Sequence, residues 1–154
     1  MEFIRSFSCE DFQAALESWT WLPIEGMSPF LCNAFGEIFL EAEDGIYFLA
    51  IIDGKLDKVC DTKEELQHIL NTREGQEHYL WSVVIKANYD LGMRPKENEV
   101  FDFKVLPALG GELKPENISL CDFIVTSNIT GQIHNQIKDL PPGTPISEIN
   151  LEET

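Results

Sequence analysis

Hydrophobic and polar positions along the chain predict helices near both ends and a block of short strands between them. Ser8 can cap a first helix, because its hydroxyl can accept a hydrogen bond from a free amide of the first turn. Helical spacing then places four apolar residues on one face: Phe12, Ala15, Leu16 and Trp19. Pro23, Gly26 and Pro29 follow, and they predict a loop.

After this loop the pattern changes to short apolar runs that are separated by two Asp-Gly pairs. The runs cover residues 37–41, 46–52 and 55–60, and the pairs are Asp44-Gly45 and Asp53-Gly54. Asp-Gly between apolar runs is a strong signal for a β-hairpin. The pattern therefore predicts a three-stranded antiparallel meander. Its middle run is apolar on both faces, so we expect both faces to be covered.

The second half of the chain predicts three helices and two more strands. Thr62 and Glu65 form a capping box before one helix. Helical spacing from Leu80 to Leu91 predicts a second helix, central and well covered, which Gly92 closes. Segments 100–105 and 119–126 are strand candidates. Ser127 or Asn128 would cap a last helix with this buried stripe: Ile129, Ile133, Ile137 and Leu140.

These elements predict one mixed α/β (α+β) domain, in which helices pack on an antiparallel-rich sheet made of the meander and the later strands. A length of 154 residues suits a single domain. We divide the chain into an N-terminal helical segment at 1–18, a mixed domain at 19–149 and an acidic tail at 150–154.

Charge narrows the classes of partner. The sequence has 27 Asp and Glu against 11 Lys and Arg, which gives a formal net charge of -16. Such a chain repels phosphate backbones and anionic lipids, so direct binding to nucleic acid or to a membrane surface is disfavoured. A basic protein partner is favoured instead, and solubility alone is the alternative explanation. The first residues lack a signal-peptide pattern, so we expect a cytoplasmic protein.

Motifs for catalysis, metal binding and cofactor binding are not found in the sequence. The histidines, His68, His78 and His134, do not form a metal-binding pattern. Asp44 and Asp53 could act as an acid-base pair, but each precedes a glycine and is more typical of a tight turn. We therefore expect no catalytic residue, no cofactor and no metal. Two alternatives stay open: a hydrolase that uses His134 with a nearby carboxylate, and a ligand-binding or adaptor module.

The last predicted helix carries a polar edge. Gln132 and Gln136 are one turn apart beside the apolar stripe, and His134 lies on its other flank. These groups could form a binding edge, or they could satisfy the main chain of neighbouring loops.

Several sequence blocks, taken in this order, resemble a known bacterial family. The blocks are Trp19-Thr-Trp-Leu, Ala34-Phe-Gly-Glu-Ile-Phe-Leu with Asp44-Gly45, Leu106-Pro-Ala-Leu-Gly-Gly-Glu with Asn117, and Gly131-Gln-Ile-His-Asn-Gln-Ile-Lys with Leu140-Pro-Pro-Gly-Thr. The family was long known as a domain of unknown function. It is now associated with the C-terminal domain of immunity proteins against type VI secretion DNase toxins. The resemblance covers about residues 19–149.

The resemblance implies a cytoplasmic α/β immunity protein that binds a cognate toxin and blocks it. It also implies a set of scaffold residues: Gly36, Gly45, Gly110, Gly111, Gly131, Gln132, His134 and Gln136. Toxin-contacting residues vary among immunity proteins and do not follow from the resemblance.

The first Asp-Gly turn is our predicted partner-binding site. Glu41, Glu43 and Asp44 place three carboxylates within four positions, beside a strand that is otherwise apolar. Turn tips are exposed and tolerate variation, which suits specificity for one partner. Solubility would explain the same charge.

Overall fold

The computed structural model describes residues 1–152, in which seven strands and five helices are found. The strands are β1 (Ile4–Arg5), β2 (Ser28–Asn33), β3 (Ile38–Ala42), β4 (Gly45–Ala50), β5 (Lys55–Cys60), β6 (Glu99–Phe103) and β7 (Ile118–Asp122). The helices are α1 (Cys9–Ala15), α2 (Lys63–Leu70), α3 (Arg73–Leu80), α4 (Ser82–Asp90) and α5 (Phe123–Ile137). Glu153 and Thr154 of the predicted acidic tail lie outside the described residues.

The strands form two antiparallel sheets, and this confirms the mixed α+β class. The larger sheet has the order β1-β2-β3-β4-β5, and its last three strands are the predicted meander. The prediction that later strands join this sheet is wrong, because β6 and β7 pair only with each other. The sheet grows instead through β2 and β1, which precede the meander.

Strand β2 lies in the segment predicted as a loop, and Pro29 explains the error. Proline lacks an amide hydrogen and normally interrupts a sheet ladder. Here β1 pairs only with Cys32 and Asn33, so no strand lies beside Pro29 on that side within the described sheet. The register against β3 also shifts between Pro29 and Leu31. The proline is therefore tolerated.

The meander is covered on both faces, as its apolar middle strand predicts. Leu49 packs on one side in the larger core, which also contains Trp19, Phe101 and Phe123. Phe48 faces the other side, in a smaller core with the leucines of α2 and α3. The two edges of the sheet differ from this interior: β1 is two residues long, and β5 carries exposed Lys, Asp and Lys residues.

The predicted helix from Leu80 to Leu91 is wrong in extent and in phase. Trp81 adopts a left-handed conformation, with φ 53° and ψ 38°, and separates α3 from α4. The face of α4 that lies inward then contains Ile85 and Asn88, whereas the side chain of Leu91 is 65% exposed. A break in the helix restarts the 3.6-residue period, so the stripe counted through Trp81 does not stay on one face.

The last helix begins earlier than predicted and has a polar inner face. Asp122 caps it by accepting from the amide of Val125 at 3.1 Å, so residues 123–126 are helical and the predicted cap at Ser127 or Asn128 is wrong. Only Thr126, Ser127, Asn128, Thr130, Gly131 and His134 join Phe123 among its buried residues. The predicted apolar stripe is half-buried at Ile129, Ile133 and Ile137 and exposed at Leu140.

This polar face contacts the end of α1, where carbonyl groups lack partners inside the helix. Ser127 Oγ donates to the carbonyl of Ala15 at 2.7 Å, and the side-chain amide of Asn128 donates to Ala14 at 2.8 Å. The indole of Trp19 donates to the carbonyl of Ser127 at 2.9 Å. The predicted cap of α1 is confirmed, since Ser8 Oγ accepts from the Asp11 amide at 3.1 Å. The segment 1–18 is not helical throughout, since it also contains β1, and its buried residues Phe12, Ala15 and Leu16 belong to the larger core.

Candidate protein-binding surface

The predicted partner-binding residues lie at the exposed tip of the β3–β4 hairpin. Ala42 pairs with Gly45, so Glu43 and Asp44 form a two-residue turn. Glu41 is the last charged residue of β3, and its side chain is 51% exposed. The three carboxylates therefore lie together in solvent, in the arrangement that the sequence suggests.

The register of the sheet brings the start of α2 next to this tip. Ile46 pairs with Cys60, so the chain leaves β5 beside the turn. Lys63 Nζ lies 3.6 Å from Glu41 Oε1 and joins the two elements. We call the combined surface the acidic end, and we define it by six exposed carboxylates and two exposed lysines: Glu41, Glu43, Asp44, Asp61, Glu64, Glu65, Lys58 and Lys63.

Two contacts order part of the acidic end. Lys58 Nζ lies 2.8 Å from Asp61 Oδ1, and this hydrogen bond, with the charge of the lysine, lowers the pKa of Asp61. The hydroxyl of Tyr47 donates to Asp44 Oδ2 at 2.8 Å, which raises the pKa of the tyrosine. Asp61 therefore stays ionised at neutral pH, and the tyrosine hydroxyl holds the side chain of Asp44 in place.

Asp44 and Asp53 do not form an acid-base pair. The two turns that carry them lie at opposite ends of β4, since one precedes Gly45 and the other follows Ala50. The interpretation of both as turn residues agrees with this geometry.

Glu37 is a buried carboxylate whose role the sequence did not reveal. Its Oε1 accepts from the Asn33 amide at 3.0 Å and from the Trp81 indole at 2.8 Å, and its Oε2 accepts from the Ile52 amide at 3.2 Å. Burial raises the pKa of Glu37 to about 7, and the three hydrogen bonds oppose this shift. The sequence signal for this buried role was a single acidic residue at the start of an apolar strand.

His134 is buried in the core near the β4–β5 turn, which contains Ile52. Its Nε2 lies 3.1 Å from the carbonyl oxygen of Ile52, and burial lowers its pKa. Its ring lies 6.0 Å from that of Trp19, and a Cβ at Gly54 would collide with it. His134 therefore uses one ring nitrogen to bind the main chain of the β4–β5 turn.

A cavity of about 270 Å³ lies beside Glu37, between the β4–β5 face and the α3–α4 junction. Its wall includes Asp53, Lys55, Asp57 and His78, but His134 does not line it. The hydrolase alternative needs His134 beside a carboxylate in such a pocket, and this cavity does not provide that pairing. Its carboxylates could accept a cationic group.

The glycines of the family motifs lie at close approaches. A Cβ at Gly36, Gly45 or Gly131 would lie 3.1, 2.6 and 2.7 Å from a neighbouring residue, and one at Gly111 would collide with the carbonyl oxygen of Val105. Gly110 has φ +94°, which favours glycine.

Asn117 ties together the loop that contains the glycine pair. Its side-chain amide donates to the carbonyls of Val105 and Glu112 at 2.9 and 2.8 Å, and its Oδ1 accepts from the Val105 amide at 2.9 Å. This agrees with a turn rather than a phosphate-binding loop.

Gln132 and Gln136 bind main chain, which was one of the two alternatives for this edge. Their side-chain amides contact the main chain of Glu152 and Asn150, respectively. Gln132 lies one helical turn after the buried Asn128, on the side of α5 that faces residues 17–21.

Among residues 1–152 no group of three or more His, Cys, Asp and Glu side chains is arranged to hold a metal ion. Within the same part of the chain, none of the helices combines the length and apolar character that crossing a membrane requires.

No family model matches the sequence, and no curated protein sequence matches it. Among solved structures, the fold is similar to the crystal structure of Atu4351 from Agrobacterium tumefaciens, with a TM-score of 0.58. The two chains are 16% identical, and the similarity covers 85% of this chain and 67% of that one. At this level of identity the likeness concerns the fold alone.

Proposed function

We propose that this chain is a non-catalytic immunity protein that binds a basic secreted toxin and blocks the active surface of that toxin. A nuclease is the class of toxin that we favour. The acidic end is the observation that supports the proposal. Six carboxylates against two lysines leave a local excess of four negative charges. A nuclease must present cations to phosphate, so its active surface is complementary to such a site.

The acidic end suits partner binding in detail. Within residues 1–152, neither Glu43 nor Glu64 has a cationic side chain within 4.0 Å. A partner can therefore pair with them without breaking an existing ion pair. At low salt, exposed negative charges also raise the rate of association with a positively charged partner.

The interior supports a role without catalysis. Glu37 and His134, two buried ionisable groups, both bind the main chain of Ile52. Glu37 Oε2 and His134 Nε2 thus hold the β4–β5 turn. The resemblance of the sequence blocks to the immunity family adds the class of partner.

The proposal is tested by producing this chain in cells together with the product of the adjacent gene, taken as the toxin. We expect the chain to restore growth, to co-purify with that product and to block DNA cleavage by it in vitro. Glu43→Lys with Glu64→Lys should weaken binding at least tenfold, and Glu97→Lys with Glu116→Lys, on exposed loops elsewhere, should change it little. A chain that neither protects nor co-purifies overturns the proposal.

A further inference from the structure

Two glutamines on α5 hold an extended segment of main chain. Gln136 donates to the carbonyl of Asn150 and accepts from its amide at 2.9 Å, and Gln132 donates to the carbonyl of Glu152 at 3.2 Å and accepts from its amide. Each side-chain amide thus makes both hydrogen bonds that a neighbouring β-strand residue would make. We call this pair the glutamine ladder.

The spacing of the ladder matches an extended chain. Residues four apart on a helix are separated by about 6 Å along its axis. Alternate residues of a strand are separated by about 6.6 Å. Two amides at this spacing can bind residues i and i+2 of any extended segment. All four bonds use the main chain, so they do not require the side chains of Asn150 and Glu152.

The segment that occupies the ladder is otherwise weakly held. Residues 141–149 contain no helix or strand, and Ile146 and Leu151 are 40% and 50% exposed. The hydrophobic effect therefore contributes little to keeping the segment in place. A segment held mainly by exposed hydrogen bonds can be exchanged for another that offers the same main-chain groups.

A cavity beside the ladder favours a particular side chain. It has a volume of about 290 Å³, and Glu17, Ser18, Thr20 and Trp21 form its wall, with Glu152 of the bound segment. Two acidic residues thus line one cavity in a chain of net charge -16. A basic side chain in place of Glu152 would bring the opposite charge to the cavity that Glu17 lines.

We propose that the glutamine ladder is a binding site for an extended segment of a partner protein that carries a basic side chain, and that residues 150–152 occupy it until that segment displaces them. The site is separate from the acidic end and does not depend on the proposed function. It recognises main chain through Gln132 and Gln136, and charge through Glu17.

The test uses the full chain with the ladder freed. Asn150→Pro with Glu152→Pro removes the two amides that donate to the glutamines. Fluorescence anisotropy measures binding of two labelled peptides: residues 145–154 of this chain, and the same peptide with each glutamate replaced by lysine. We expect the freed variant to bind the basic peptide at least tenfold more tightly than the wild type, and more tightly than the acidic peptide at low salt.

Side-chain variants identify the ladder as the site. In the freed variant, Gln132→Met with Gln136→Met keeps the approximate size of the side chains and removes their donors and acceptors without adding charge, and it should abolish peptide binding. Gln67→Ala, on the exposed face of α2, serves as the matched control and should leave binding unchanged. Thermal melting confirms that each variant is folded. Equal affinity of the freed variant and the wild type, binding that persists without the glutamines, or equal affinity for both peptides would overturn the proposal.

Discussion

Glu37 and His134 bind the two polar main-chain groups of one residue, Ile52. Glu37 Oε2 accepts from its amide at 3.2 Å, and His134 Nε2 lies 3.1 Å from its carbonyl oxygen. A carbonyl oxygen only accepts, so this ring nitrogen carries the hydrogen. Because Glu37 precedes β3 and His134 lies on α5, the pair joins the sheet to the last helix through the β4–β5 turn.

Removing the histidine should loosen this connection. We expect His134→Ala to lower the free energy of unfolding by about 1–2 kcal/mol at pH 8, because the carbonyl of Ile52 loses its buried donor. Urea denaturation measures the change. His68→Ala, at an exposed position, is the control and should cost less than about 0.5 kcal/mol. Equal effects of the two substitutions would show that the contact contributes nothing to stability.

The same substitution should have a smaller effect in acid. Burial lowers the pKa of His134, so the folded state disfavours the charged ring. The unfolded chain binds the proton first as the pH falls below about 6.5, and the stability that the neutral histidine contributes is then lost. The difference between wild type and His134→Ala should therefore shrink from pH 8 to pH 5. A difference that is constant with pH would contradict this.

Glu37 should have the opposite pH dependence. Its pKa is raised from 4.5 to about 7, so the folded state holds the proton over this range and the unfolded state releases it. Stability attributable to this group is present below pH 4.5 and is lost as the pH rises to about 7, by up to about 3 kcal/mol. Glu37→Gln cannot titrate. The stability of the wild type relative to this variant, measured in urea, should fall from pH 5 to pH 8, and a rise would contradict the assignment.

The hairpin tip should affect association and leave stability unchanged. Glu43→Lys should slow association with the toxin identified by co-expression, and the effect should shrink at high salt because ions screen exposed charges. Glu41→Lys should slow it as well and also remove the contact with Lys63. Neither change should move the melting temperature noticeably. Association rates that are unchanged at low salt would remove the hairpin tip from the interface.

Close packing at the glycine pair gives a test of the motif loop. Gly111→Ala should destabilise the protein by about 1–3 kcal/mol, because its Cβ would collide with the Val105 carbonyl. Gly110→Ala places its Cβ in open space and has only the cost of its positive φ, about 1–2 kcal/mol. Chemical denaturation should rank Gly111→Ala as the more harmful, and the reverse order would contradict the close approach.

The sequence correctly predicted those turns and helix caps that depend only on residues close together in the chain. The Asp-Gly turns, the Ser8 cap and the Thr62 cap need only neighbours in sequence, and the structure confirms them. The left-handed Trp81 was missed because its indole binds Glu37, 44 positions away. The segment 119–126 was wrongly predicted to be a strand throughout, because Asp122, Ser127 and Asn128 can each cap the helix that follows.

The candidate site was predicted in part. The tip carboxylates follow from the turn, but the start of α2 was not placed beside them. Strand lengths in the meander contained that information, since they put Cys60 opposite Ile46. The polar inner face of α5 could not be found in this way, because its partners, the carbonyls of Ala14 and Ala15, lie more than a hundred residues away.

The edges of the larger sheet bear on how another chain can approach. One edge is the two-residue β1, and the other is β5, which carries exposed Lys55, Asp57 and Lys58. Short or charged edges discourage strand addition, the route by which sheets fuse and aggregate. A second protein would therefore contact this chain through surface side chains. Such contacts can be specific for one partner, whereas an open strand edge with unpaired main-chain groups would accept almost any strand.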